Sequence, residues 1–159
     1  MTSEDWSVRR ATIEDLADVT RLYRSLQRHH VRLQPGNPRY TVPASSWTQV
    51  ARAAIEDASA DVFVVEDGEK TIGMMKLSYV KKPWGLSCEI DTMIVDGRHR
   101  NRGAGRLMLD MAERHARRIG AAGLRVDVLL ENYGGRRFYE RAGYESIAVR
   151  YGRRVPEAD

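Results

Sequence analysis

The sequence predicts a single α/β domain over residues 1–159, a central mixed, mostly antiparallel sheet flanked by helices. Three observations carry that expectation. Apolar residues recur at helical spacing in the first third, then at strand spacing through the middle. The last third returns to alternating strand-like and helix-like segments. Between them, "RHRNRGAGRLM" (98–108) places a glycine turn directly before a helical run. The order reads β-α-α-β-β-β-α-β-α-β. A chain of 159 residues fits one domain and is long enough to bury a core.

Each element has a local reason. "VRRAT" (8–12) reads as a short strand. Thr12 and Asp15 form an S/T-x-x-D/E cap for a helix from about 13 to 33, and Ile13, Leu16, Val19, Leu22, Tyr23 and Leu26 follow its stripe. "LQPGNPRYTVP" (33–43) holds three of the five prolines and is predicted as a loop. A second helix is predicted over about 45–57. "DVFVVEDG" and "KTIGMMKLSYV" read as a hairpin, and "LSCEIDTMIVD" (86–96) as the third strand of the run. A helix then extends to about Ile119, with Leu107, Met111, Ala112 and His115 on its apolar stripe. "AGLRVDVLLEN" is a strand, "GGRRFYERAG" a short helix stopped by Gly143, and "YESIAVRYGRR" a final strand.

Composition narrows the function. Hydrophobic residues at 42% and charged residues at 30% describe an ordinary soluble globule. No apolar run approaches the roughly 20 residues of a membrane span. "MTSEDWSVRR" contains no apolar core of a secretory signal, so a cytoplasmic location is expected. Cys88 is the single cysteine, which excludes an internal disulfide and a cysteine-built zinc site. Without an H-x-x-x-H pair either, no metal is expected. The net charge of +4 fits an anionic partner. The basic stretches "RRIGAAGLR" and "YGRR" are scattered and not interleaved with aromatics on one face, so no nucleic acid partner is expected.

The glycine turn identifies the anion. A strand, a glycine-rich turn and a helix present unpaired N–H groups and the positive end of a helix dipole. Glycines let a pyrophosphate approach the backbone, and Arg100, Arg102 and Arg106 add full charges. No Gly-Lys-Ser/Thr follows, so it is not a Walker loop, and the single G-x-G lacks the third glycine of a dinucleotide fingerprint.

"RNRGAG" (100–105) resembles the R/Q-x-x-G-x-G/A signature of the GNAT superfamily of acyl-CoA-dependent N-acetyltransferases. "ENYGGRRFYERAGY" (131–144) resembles the family's second signature, with Asn132, Tyr139, Gly143 and Tyr144 in place. Gly135 stands where a small alanine is usual, and Gly97 where proline is common. The resemblance covers roughly 60–150 closely. It implies a GNAT-like fold and acetyl-CoA as co-substrate. By the same resemblance, Met93, Ile94 and Val95 line the acyl and pantetheine strand. Arg100, Asn101, Arg102, Gly103, Ala104, Gly105 and Arg106 hold the phosphates, and Asn132 and Tyr139 complete the cofactor site.

Acetyl transfer needs a proton removed from the amine, a donor for the developing oxyanion, and a proton for the leaving thiolate. Tyr139 is the acid that the resemblance implies, and backbone N–H groups near Met93–Val95 are the implied oxyanion donors. Carboxylates are poor strand residues, so those in the strands are candidate bases. Glu89 falls fourteen residues before Gly103, where some family members carry a base glutamate. Asp127 interrupts an apolar strand five residues before Asn132, where other members place an acidic base. Asp91 is the third candidate. Counting by two puts Glu89, Asp91, Met93 and Val95 on one face of their strand, and Cys88, Ile90, Thr92 and Ile94 on the other.

His29 and His30 read as surface residues near the acceptor loop, His99 as part of the phosphate turn, and His115 as a core histidine. Tyr40, Trp47 and Trp84 are candidates for a pocket wall. The expected acceptor is a primary amine of a small molecule such as an antibiotic, polyamine or amino sugar, and the expected assembly a homodimer. The alternatives are a protein or peptide N-acetyltransferase and a non-catalytic acyl-CoA-binding protein.

Overall fold

The computed structural model describes residues 6–153 and 155. Strand β1 (Trp6–Arg10) leads into α1 (Leu16–Leu33) and α2 (Trp47–Glu56). The antiparallel run β2 (Ala60–Asp67), β3 (Lys70–Lys82) and β4 (Gly85–Val95) follows, then α3 (Ala104–Arg118), β5 (Gly123–Val126) and α4 (Tyr133–Arg141). The sheet order is β1-β2-β3-β4-β5, with only the β4–β5 pair parallel. This is the mixed, mostly antiparallel α/β domain that the patterning predicts.

The sheet is apolar on both faces because helices cover both. Val19, Leu22, Ala51 and Ala54 of α1 and α2 pack on Val62, Val64, Met74 and Ile94. Met108, Leu109, Ala112 and Ala116 of α3 pack on Phe63, Met75, Leu77, Cys88 and Ile90. Side chains such as Leu22, Met108 and Leu109 are at most 1% exposed. Each contributes about 1.5–3 kcal/mol by burial, so these two layers set the helix positions. At the start of α1, Asp15 accepts a hydrogen bond from the Thr12 N–H at 2.7 Å and faces Arg9 at 2.8 Å. A short 3-10 turn over Ile13–Asp15 precedes the α-helix there.

Two expectations are corrected. The final strand over 144–154 is not formed: residues 144–153 carry no strand, and Arg154 lies outside the described residues. A strand needs a partner ladder, and the neighbouring β5 is only four residues long. Ile147, Val149 and Tyr151 stand 68%, 64% and 93% exposed as a result.

The second correction concerns β4. Its register against β3 runs Met93 opposite Met75 and Thr92 opposite Lys76, then jumps to Ile90 opposite Leu77. Asp91 is therefore the extra residue of a β-bulge, and the alternation changes phase there. Cys88 and Ile90 join the α3-side core, where Met93 and Val95 also pack. Glu89 lies opposite Ser78 and Thr92 opposite Lys76, on the face of Ile94 and the α1–α2 layer. Glu89 thus does not share a face with Met93 and Val95.

Candidate active site

The bulge coincides with a split in the sheet. Pairing of β4 with β5 runs from Ser87 opposite Gly123 to Ile90 opposite Val126 and then stops. Beyond it, β4 continues to Val95 with its outer edge unpaired, so backbone donors and acceptors of residues 91–95 border an open cleft. Such an edge is a template for an extended, amide-bearing ligand.

The cleft leads to the glycine turn. Asp96 receives the Arg98 N–H at 3.2 Å and closes a 3-10 turn over Gly97–His99. Arg100 donates from Nε to the Val95 carbonyl at 3.0 Å, fixing the turn to the strand end. Asn101 and Gly103 then adopt left-handed φ values of 59° and 100°. α3 begins at Ala104, so its first N–H groups open onto this exposed turn. No heavy atom lies within 4 Å of where a Gly103 Cβ would stand. Arg102 lies over the Trp6 ring, 5.7 Å from its centroid, and Arg106 pairs with Asp110 at 3.1 Å. Open backbone, a helix N-terminus and exposed guanidinium groups suit a diphosphate, so these residues fit the expected co-substrate. His99 turns inward instead: it is buried, edge-on to Trp6 and 3.9 Å from both Asp67 and Asp96.

Gly105 has a different task. A Cβ there would stand 2.9 Å from the Phe138 ring. This glycine therefore lets α4 dock on the first turn of α3, bringing Tyr139 with it. Replacing Gly105 by Ala is expected to lower stability by about 1 kcal/mol, the crowding of about 1–3 kcal/mol outweighing the helix propensity gained. Urea denaturation measures it; an equal or higher stability would mean that Phe138 has room to turn away.

Tyr139 packs edge-on between Phe138 and Tyr144, at 5.2 and 5.5 Å between ring centroids. It belongs to the α3-side cluster that includes Met93, Val95 and Val126. Burial pushes its phenol well above the ordinary tyrosine value, and Tyr144 adds to the shift. Asn132 caps α4, its Oδ1 accepting the Gly135 N–H at 3.0 Å. A Cβ on residue 135 would stand 2.5 Å from the Asn132 Nδ2, so the cap occupies the space that an alanine side chain would fill.

The carboxylates are on the other side of the sheet. Glu89 accepts from the Ser87 hydroxyl at 3.1 Å. Asp91 accepts from the Ser78 hydroxyl at 2.8 Å and lies 3.8 Å from Lys76 Nζ. Asp91 also lines a cavity of about 160 Å³ with Tyr23, Gln27, His30, Tyr40 and Trp47. The sequence analysis anticipated Tyr40 and Trp47 as wall residues. Trp84 is 66% exposed and does not line this cavity. His30 is partly buried and 5.0 Å from the Tyr40 ring, not a free surface residue; burial lowers its pKa, so it is neutral at pH 7. His29 is likewise lowered by burial. Tyr23, Gln27, Arg39 and Thr92 also line this cavity, beyond the wall candidates in the sequence. Tyr23, Gln27 and His30 follow each other at i, i+4 and i+7 on α1, a polar continuation of its apolar stripe that was a readable signal.

Asp127 is set apart. Its carboxylate is 70% exposed and paired with Arg150 at 2.5 Å. His115 is buried, as expected, with Nε2 2.7 Å from the Tyr79 hydroxyl and 3.2 Å from Asp61. The Cys88 thiol is buried and pushed up to about 11, mainly by desolvation and then by Glu89 and Asp91, which makes it a poor nucleophile.

A strand edge freed at a bulge, running into a glycine turn and a helix N-terminus, defines an acyl-CoA site. The model of the acetyltransferase (GNAT) family matches residues 19–144, and the chain belongs to that family. It is an acyl-CoA-dependent N-acetyltransferase, and acetyl-CoA is the family's co-substrate. A tetramutant of the BH1408 protein from Bacillus halodurans superposes with a TM-score of 0.78 at 22% identity, covering 94% of this chain and 99% of that one. A possible acetyltransferase from Clostridium difficile 630 gives 0.77 at 19%, covering 97% and 100%. An aminoglycoside acetyltransferase from an uncultured soil metagenomic sample gives 0.74 at 15%, covering 97% and 99%. At these identities the likeness is one of fold. No curated protein matches the sequence.

Proposed function

We propose that the protein moves the acetyl group of acetyl-CoA to the primary amine of a small molecule, by direct attack in a ternary complex. The observation that carries this reading is the cleft at residues 91–95 of β4, with carboxylates on one side of the sheet and Tyr139 on the other. Bound acetyl-CoA supplies a thioester, an acyl donor with a good leaving group. Those N–H groups of Met93–Val95 that face away from β3 donate to its carbonyl oxygen. Glu89 takes the amine proton directly or through water, and Tyr139 protonates the departing thiolate. Asp91 anchors the ammonium before it loses that proton. The small size of the cavity, about 160 Å³, favours a small molecule over a protein tail.

Calorimetry and a thiol-release assay test the reading together. Acetyl-CoA binding with amine-dependent thiol release is expected; binding without release from a broad amine panel would favour a non-catalytic acyl-CoA-binding protein. Gly103→Val is expected to weaken acetyl-CoA binding about ten- to a hundredfold, the worth of one charge-assisted hydrogen bond. Valine does not hold a φ near 100°, and its branches would screen the turn's N–H groups. An unchanged Kd would place the phosphates elsewhere.

We also propose a homodimer in the cytoplasm, where acetyl-CoA is available. The support is the exposed alternation of Ile147, Val149 and Tyr151 beside the short strand β5. A second copy offers the strand partner that this segment lacks. Sedimentation should give a dimer at micromolar concentration and a monomer for Val149→Glu; a monomeric parent protein would overturn it.

A further inference from the structure

The acceptor cavity is equipped for more than an amine. One part of its lining is Asp91, at the bulge beside the free edge of β4. Another is Arg39, on the loop between α1 and α2. Among the described residues, the Arg39 guanidinium has no carboxylate within ion-pair distance and makes no side-chain hydrogen bond. It is nevertheless close enough to His30 to help depress that imidazole. The loop that carries it is held in place: Gln27 donates from Nε2 to the carbonyls of Tyr40 at 2.8 Å and Val42 at 3.0 Å, and Arg24 donates to the Ala44 carbonyl at 3.1 Å. The pinned loop keeps the Arg39 backbone at the cavity rim, which leaves only the side chain to order on binding.

The rest of the wall is largely aromatic. Tyr23 and Trp47 stack at 5.9 Å with 21° between planes, and His30 meets Tyr40 at 5.0 Å. His30 is neutral, so it adds no charge. Lys76 compensates part of the Asp91 charge at 3.8 Å, but itself leans to Asp57 at 3.4 Å. With one carboxylate and one cation, the cavity lacks the several carboxylates that a polycationic sugar or polyamine would need. Its volume of about 160 Å³ suits a body of ring size, since an apolar cavity of about 150 Å³ holds a benzene.

We propose that the acceptor is a small amino acid with an aromatic or comparably bulky apolar side chain. Its ammonium is held at Asp91, its carboxylate at Arg39, and its side chain against Tyr23, Tyr40 and Trp47. This rests on the acetyl-transfer reading above. The reaction balances: the ammonium gives one proton to Glu89 and on to solvent, the neutral amine nitrogen forms a bond to the acetyl carbon, the carbon–sulfur bond breaks, and the second nitrogen proton lost is matched by the one that ends on the thiol of free CoA. The product is an N-acetyl amino acid without an ammonium, so it loses its attraction to Asp91 and departs.

The test compares L-phenylalanine with phenethylamine, which has the same ring and amine but no carboxylate, and with spermidine and kanamycin. With acetyl-CoA present, kcat/KM for phenylalanine should exceed that for phenethylamine by about tenfold or more, the worth of a charge-assisted contact. In Arg39→Gln that ratio should fall to about one. Arg39→Lys should restore part of it. Equal or better turnover of phenethylamine, spermidine or kanamycin by the parent would overturn the proposal, as would an Arg39→Gln ratio equal to the parent's. Calorimetry separates the two levels. If acetyl-CoA fails to bind, the acetyl-transfer reading fails; direct titration of phenylalanine against phenethylamine, with the Arg39→Gln comparison, still decides what the cavity takes.

Discussion

Tyr139→Phe is expected to lower kcat about ten- to a thousandfold while the Kd for acetyl-CoA moves little, in line with the roughly 10²–10⁴-fold worth of a positioned acid. The phenol sits among Phe138, Tyr144, Met93 and Val95, on the side of the sheet away from the carboxylates. Burial raises its pKa, so it keeps its proton throughout the working range and donates without competing ionisation. Among the described residues no hydrogen bond engages its hydroxyl, which leaves the proton free for the sulfur. Phenylalanine preserves the ring and its two edge-on contacts, so stability should be nearly unchanged. Rapid-quench and steady-state rates of the two proteins, with calorimetric Kd values, make the measurement. Turnover equal to the parent's would reduce Tyr139 to a packing residue.

Glu89→Gln is expected to depress turnover most at neutral pH and least near pH 10. An alkylamine with a pKa near 10.4 is neutral in roughly one molecule in 2,500 at pH 7, so a group that takes the proton carries most of the rate there. Near pH 10 roughly a quarter of the amine is neutral unaided, several hundredfold more than at pH 7, and the variant should approach the parent. Asp91→Asn should behave differently, raising KM and leaving kcat nearly unchanged, because it removes the ammonium's anchor in the cavity. Asp127→Asn should change little, since that exposed carboxylate is already committed to Arg150. A Glu89→Gln profile parallel to the parent's, together with an Asp91→Asn loss of kcat confined to low pH, would move the base to Asp91. The α-ammonium of a free amino acid is somewhat more acidic than an alkylammonium, so the recovery of Glu89→Gln should begin at a slightly lower pH if the acceptor is an amino acid.

The legible parts of this protein are those decided by near neighbours in the chain. Residues 100–105 act through their own backbone, because a left-handed turn at Gly103 and a helix starting at Ala104 are local properties. The stripe of α1 and the apolar run of β2 declare buried faces by their periods alone. Gly143, with φ of 89°, ends the last helix as its position foretells. The final strand was read from an alternation that is genuinely present in Ile147, Val149 and Tyr151; what is missing is a ladder for it to join.

The acceptor cavity was not legible, because it is assembled from α1, the loop after it, α2 and β4, segments separated by up to some seventy positions. Nothing local to Arg39 announces that it will face Asp91's cavity; only the polar continuation of the α1 stripe at Gln27 and His30 hints at it. By itself the sequence determined the layered α/β order, the phosphate turn, and Tyr139 as the candidate acid. The tertiary structure decided which face of the sheet each carboxylate takes. Counting by two assumes that every residue of β4 has a partner on β3. Pairing with Lys76 and Leu77 leaves Asp91 without one, and that single extra residue turns Glu89 away from Met93 and Val95 towards the amine's side of the sheet.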